Sequence, residues 1–314
     1  SLGVLLALIG CSSATDKPSP TPLKRITEIV EIDDVESTSL GGGDQTGLSP
    51  AVDGDSIAAA SAGGDVYLFD VKLDELWNTD IDRTILGGVA LNSTAVYVAT
   101  SDATLVALSR KKGEVLFEVT LPGNSIVPAV ATDTMVFVKT QIGQLIALNA
   151  VSGETVWFEE AKESNVGIRG GAPISLSDDV LFVLWEYGRI MAYQAQTGRI
   201  LWERQVAVSR GRSPLDRIVD SKGAPSVRNG FIATATRNGQ VSLLSARDGQ
   251  LIWSFDSDAY PGALLAFNAV TVVETDGTIS AFSAQSGESL WSTGALKHRE
   301  LSPPAVVADY IGVI

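Results

Sequence analysis

Short runs of β-branched and aromatic residues, each flanked by Gly, Asp or Asn, recur along most of this chain. Met135-Val-Phe-Val-Lys, Val180-Leu-Phe-Val-Leu and Phe231-Ile-Ala-Thr-Ala are typical, and each has the length and composition of a strand. No stretch within the array carries an apolar period of 3.6 over three turns, so helices are not expected there. One unit reads through completely. Pro128-Ala-Val-Ala is an inner strand and Asp133-Thr a turn; Met135 to Thr140 is a second strand, and Gly143 relieves the next turn. Gln144 to Asn149 is a third strand, Val151-Ser-Gly153 a tight turn, and Glu154 to Phe158 an outer strand.

The unit repeats. Ala147-Leu-Asn-Ala-Val-Ser-Gly-Glu-Thr-Val-Trp157 returns as Ala192-Tyr-Gln-Ala-Gln-Thr-Gly-Arg-Ile-Leu-Trp202, Leu243-Leu-Ser-Ala-Arg-Asp-Gly-Gln-Leu-Ile-Trp253 and Ala281-Phe-Ser-Ala-Gln-Ser-Gly-Glu-Ser-Leu-Trp291. In each copy a Gly stands four residues before the Trp (Gly153, Gly198, Gly249, Gly287). A second Gly stands ten before the first (Gly143, Gly188, Gly239, Gly277). Two degenerate copies precede these, one ending in Gly113 and Phe117, the other in Trp77 with Leu73 at the turn-Gly position. Successive anchors from Trp77 to Trp291 are 40, 40, 45, 51 and 38 residues apart. That period, filled with strands, predicts an all-β propeller of four-stranded blades. The Gly admits positive φ in the tight turn, and the Trp offers a broad apolar face for packing between twisted sheets. Ser302 to Ile314 reads as an inner strand, a turn and the start of a second strand, a partial seventh unit after about six complete ones. Since a propeller closes on itself to protect its edges, further C-terminal blades are expected outside this sequence.

The ends add a second theme. Residues 1–10 are apolar, too short to span a bilayer, and resemble the tail of a signal-peptide core. They run into Leu8-Ile-Gly-Cys11-Ser12-Ser13, which resembles a bacterial lipoprotein cleavage site; that resemblance implies acylation at Cys11. Ser12, rather than Asp, after it implies export to the periplasmic face of the outer membrane. Residues 11–47 are then the lipidated Cys, a proline-bearing tether and an N-terminal strand, with the propeller at 48–314.

Composition narrows the chemistry. Lys plus Arg number 23 against 37 acidic residues, a net charge of −14, which argues against nucleic acid and against adhesion to anionic lipid. Cys11 is the only cysteine and His298 the only histidine, so neither a disulfide nor a His/Cys zinc site can be assembled within the chain. A Ser–His–acid triad would need His298, and no Gly-x-Ser-x-Gly elbow accompanies it. The Gly clusters at 41–43 and 170–171 lack a Walker lysine, and Asp33-Asp34 and Asp178-Asp179 read as solvated turns. No catalytic residue, metal or cofactor is expected.

The Ala-x-x-Ala-x-x-Gly-x-x-x-Trp phrase resembles the repeat of pyrroloquinoline quinone (PQQ) dehydrogenases. Those enzymes are much longer, and their calcium and catalytic-carboxylate pattern is not recognisable here. Three other phrases, with the lipoprotein signal, resemble the BamB family of the outer-membrane β-barrel assembly machine. They are Asn165-Val-Gly-Ile-Arg-Gly170, Leu215-Asp-Arg-Ile-Val-Asp220 in the longest unit, and Leu296-Lys-His-Arg299 ahead of Ser302-Pro303. The resemblance implies eight blades, a non-catalytic scaffold role, and binding to the POTRA domains of BamA through the first two phrases. It further implies unfolded outer-membrane proteins as clients, for which exposed blade edges offer strand pairing. Carried over by position, the contact residues are Val166, Ile168 and Arg169 in the first loop, and Asp216, Arg217 and Asp220 in the second. Lys222 stands where the family usually has a second Asp, and Val166 where Leu is usual. The other readings are that Ile168 packs under its own loop and Arg169 pairs with Asp216 or Asp220. Two rival functions remain, a PQQ-dependent dehydrogenase and a generic propeller lipoprotein with another envelope partner.

Overall fold

A computed structural model of the chain describes residues 18–25, 36–41, 48–161, 171–208 and 219–314. Among these residues there is no helix, and the strands form six four-stranded antiparallel sheets and one two-stranded sheet. Each four-stranded sheet is a meander in chain order, one blade each at 51–80, 90–120, 130–160, 175–205, 226–257 and 262–293. In the unit read above, the strands are Val130–Ala131, Met135–Lys139, Gln144–Asn149 and Thr155–Glu160. The partial unit gives strands Ala305–Val307 and Tyr310–Gly312.

The core lies between blades. In the third blade, Val136 and Val138 pack with Tyr97, Leu105 and Ala107 of the second. Their strand neighbours Met135 and Phe137 point the other way, onto Leu181, Val183 and Tyr193 of the fourth. Because side chains alternate across a strand and both faces of the sheet are covered, the second and third strands read as unbroken apolar runs. Outer strands have a single covered face, and there exposure alternates.

Pairing across the sheet explains the repeated phrase. Phe137, Ala147 and Trp157 lie in one row, as do Phe182, Ala192 and Trp202, and Tyr97, Ala107 and Phe117. The small Ala lets the flanking rings approach across it, with centroids 6.0 Å apart in the first two rows and 6.4 Å in the third. Every outer strand carries a bulge beside this row, and the extra residue is the one before the anchor. Those residues (Leu76, Leu116, Val156, Leu201, Ile252 and Leu290) are turned outward and exposed.

The anchors also make polar bonds. The indole N–H of Trp77 donates to the carbonyl of Arg110 at 2.8 Å, and that of Trp157 to Ala195 at 2.8 Å. Trp202 donates to Ala246 and Trp253 to Ala284, both at 3.0 Å. Each acceptor is three residues before the turn Gly of the next blade, and that Gly rests on the same indole. A Cβ at Gly249, whose φ is +67°, would lie 2.5 Å from the Trp202 ring. Phe117 has no N–H to give. There the Tyr97 hydroxyl donates instead to the carbonyl of Ala150, at 2.9 Å. Leu73, in place of the first turn Gly, adopts φ 62° as well. In the fifth blade the left-handed position precedes Gly239 and falls on Asn238.

Candidate functional site

A four-stranded meander sends its connections to two faces. The turns between inner and second strands, and between third and outer strands, share one face. The turns between second and third strands share the other with the segments that lead to the next blade. Both unusual insertions are blade-to-blade segments, so both belong to this second face, here called the insertion face. The first follows the third blade and the second follows the fourth.

Val166, Ile168, Arg169, Asp216 and Arg217 lie outside the described residues, as does Cys11. The bases of the two insertions are described, and they meet at one hairpin turn of the fourth blade, Trp185 to Arg189. On the first side, Ala161 donates its N–H to Gly143 before the insertion begins. After it, Gly171 and Ala172 pass over Lys139, which is 3% exposed. The Lys139 ammonium donates to the carbonyls of Ala172 at 3.1 Å and Leu184 at 3.0 Å. It also pairs with Glu186 at 2.8 Å and lies 5.4 Å from the centroid of the Trp185 ring. A side chain at residue 171 would have to displace the Glu186 carboxylate, since its Cβ would stand 2.4 Å from it.

On the second side, Val206 and Ala207 donate backbone N–H groups to Gly188, and the Gln205 amide donates to the carbonyls of Tyr187 and Gly188. The chain returns from the insertion at Val219, which forms a parallel bridge with Tyr187. Beneath the turn, Trp185 and Tyr187 stack with centroids 6.5 Å apart. The Trp185 indole donates to the Tyr193 hydroxyl, and burial pushes the Tyr193 pKa up. One turn therefore carries Glu186 toward the first insertion and Tyr187 toward the second.

Of the expected contact residues, Asp220 is the one that lies among the described residues. It is 2% exposed. Its carboxylate accepts the N–H of Ser221 at 2.8 Å, and its carbonyl accepts that of Arg237 at 2.7 Å. Burial raises the Tyr260 pKa, and the charge of Asp220 adds to the rise. The Asp220 carboxylate is therefore enclosed at the exit of the second insertion. Lys222 is exposed, with its N–H bonded to the carbonyl of Tyr260.

Lys139, Glu186, Gln205 and Tyr187 were not singled out by the sequence reading. One signal was available for the first: a lysine closes the apolar strand Met135-Val-Phe-Val-Lys, where a lysine buried on both sides must find an anion or carbonyls. His298, the single candidate for base chemistry, is exposed in a loop with φ 62°. Among the described residues no group of His, Cys, Asp and Glu is placed to hold a metal.

Comparison with known proteins bears on the whole chain. A family described as "Outer membrane protein assembly factor BamB" matches residues 62–293 and again 227–311. The factor of that name from Pseudomonas aeruginosa is 32% identical over 99% of this chain and 83% of its own length. The crystal structure of BamB from Moraxella catarrhalis superposes with a TM-score of 0.78 at 28% identity, covering 85% of this chain and 81% of that one. A europium-containing methanol dehydrogenase superposes with a TM-score of 0.59 at 13% identity, over 82% of this chain and 72% of its own, and shares the fold alone.

Proposed function

This chain belongs to the BamB family, and we propose that it is a non-catalytic scaffold, lipid-anchored through Cys11 at the periplasmic face of the outer membrane. It binds the POTRA domains of BamA through its two insertions and so assists the insertion of β-barrel proteins. The observation that carries the reading is the junction of both insertion bases on the single turn Trp185 to Arg189. Bases that share one turn keep a fixed spacing, and fixed attachment points favour a preorganised contact surface. Arg169 is the expected anchor, because its planar fork engages carboxylate and carbonyl groups together. Val166, Ile168, Asp216, Arg217 and Asp220 are the other expected contact residues.

Calorimetric titration of BamA POTRA domains into the soluble protein starting at Ser12 tests this. Arg169→Glu is expected to weaken binding by more than about tenfold, 1.4 kcal/mol. Unchanged binding in that variant would discard the site, and no binding by the folded wild type would discard the partner.

A further inference from the structure

The phrase Leu296-Lys-His-Arg299 has no part in the two insertions, yet the structure gives it an occupant. Of the described residues 18–25, all are exposed except Thr21, which is half-buried. Its N–H donates to the carbonyl of Lys297 at 3.0 Å, and its carbonyl accepts the Arg299 guanidinium at 3.0 Å. Thr21 stands between Pro20 and Pro22, with Pro18 before them, so it alone within Pro20-Thr-Pro22 has an N–H to offer. Prolines at alternate positions hold that stretch extended before it docks, which lowers the entropy lost on docking.

The receiving loop is shaped for the task. His298 sits between the two contacting residues with φ 62°, a turn that lets the Lys297 carbonyl and the Arg299 side chain serve one strand. The loop is clamped to the sixth blade: the Lys297 ammonium pairs with Asp276 at 2.8 Å, and the His298 N–H bonds to the Asp276 carbonyl at 2.7 Å. Gly277 makes the approach possible, because a Cβ there would stand 2.6 Å from the Leu296 carbonyl. The loop follows the outer strand of the sixth blade, which puts it on the insertion face.

We propose that residues 296–299 are a docking site for the proline-alternating tether of the same chain, and that this dock turns the insertion face toward the lipid surface. The orientation rests on the reading of Cys11 as the lipid anchor. With Thr21 docked, the free leash is the nine residues from Ser12 to Pro20, a reach of at most about 30 Å. The next described contact of the N-terminal segment is Leu40, whose carbonyl accepts the Tyr67 hydroxyl. Without the dock, the 28 residues from Ser12 to Ser39 separate Cys11 from that contact. They set an upper bound of roughly 95 Å on its separation from the anchor, and within that bound either face can meet the membrane.

Hydrogen exchange on the soluble protein from Ser12 tests the dock without lipid or partner. The Thr21 amide is expected to exchange about tenfold more slowly than in the free peptide. Arg299→Gln should reduce that protection with the thermal midpoint unchanged. Exchange at the free-peptide rate in the wild type overturns the dock. Orientation is read on the acylated full chain in vesicles of phosphatidylethanolamine and phosphatidylglycerol carrying an acceptor dye. Because acylation blocks Cys11, a donor on Glu300→Cys or Gln285→Cys marks opposite ends of the sixth blade. Stronger transfer from residue 300, equalised by Thr21→Pro, supports the orientation. Equal transfer in the wild type overturns it. Intact mass reports acylation separately, so a protein whose Cys11 is unmodified would remove the anchor and the orientation while the exchange result still judges the dock.

Discussion

The two faces of this propeller are built by different rules. On the face of the tight turns, five blades repeat one solution: a positive-φ residue on an aromatic ring, and a side-chain donor to the carbonyl three residues earlier. On the insertion face the backbone repeats as well, Ile81, Leu121, Ala161 and Val206 each donating to the hairpin turn of their own blade, but the side chains at the junctions are individual. Lys139 and Glu186 serve one, Gln205 and Tyr187 another, and the Lys297–Arg299 loop a third. Where every blade needs the same thing, the sequence repeats. Where one blade holds something the others do not, the sequence departs from the repeat. The aperiodic face is accordingly the one to search for partners.

The largest blow to the repeated face is expected from Gly249→Val. A β-branched residue at φ +67° is strained, and its Cβ would collide with the Trp202 ring. Left-handed strain and overpacking together cost about 3 kcal/mol, read as a lower urea midpoint. On the individual face the side-chain contacts are what differ, so Lys139→Met is the test there. It leaves Glu186 and two carbonyls without their cation. Since Glu186 retains some exposure, about 2 kcal/mol is expected, below the usual cost of breaking a fully buried pair. The comparison is sharpened if this variant also weakens POTRA binding while Gly249→Val, at equal folded fraction, does not.

A smaller effect separates the indole's two roles. Trp157→Phe removes the donor to Ala195 together with part of the ring that packs on Gly198, at about 1 kcal/mol for the bond plus the packing lost. Tyr97→Phe should cost about 1 kcal/mol for the bond alone, because Tyr97 supplies in the second blade the bond that Phe117 cannot. A null result for both would mean these carbonyls are satisfied by water, and that the repeat is held by packing alone.

How much of this was legible follows the same division. Strand order, the turn Gly and the packing of the anchors came from the repeat, since local conformation and burial impose the same residue at each pass. The indole bond was missed because its acceptor is a backbone carbonyl about 40 residues away, which no side-chain pattern marks. Lys139 was missed because its partners come from the next blade, and only closure brings them together. The burial of Asp220 was not legible for the opposite reason. A charged residue in a loop phrase reads as exposed, but here the chain returning to Tyr187 and Tyr260 encloses it.

The smallest expected effect is acid titration on the insertion face, where two neighbouring carboxyls of the sixth blade pull in opposite directions. Glu274 has its pKa raised by burial and by the charges of Asp276 and Asp258. Its native form therefore takes up a proton at higher pH than the unfolded chain does, and stability rises as pH falls through that range. For Asp276, burial opposes ionisation, but hydrogen bonds from Lys297 and Thr278 outweigh it and hold the pKa at about 2. Its contribution is present above the unfolded value of 3.8 and is lost as pH falls from there toward 2. A shallow rise followed by a fall is the expected profile, measured as the protection of the His298 amide, which bonds to Asp276, relative to its intrinsic exchange rate at each pH. Glu274→Gln should remove the rise and Asp276→Asn the fall. Because Asp276 clamps the loop that receives Thr21, the falling limb should appear at the Thr21 amide too, whereas amides of the tight turns on the other face should not follow it.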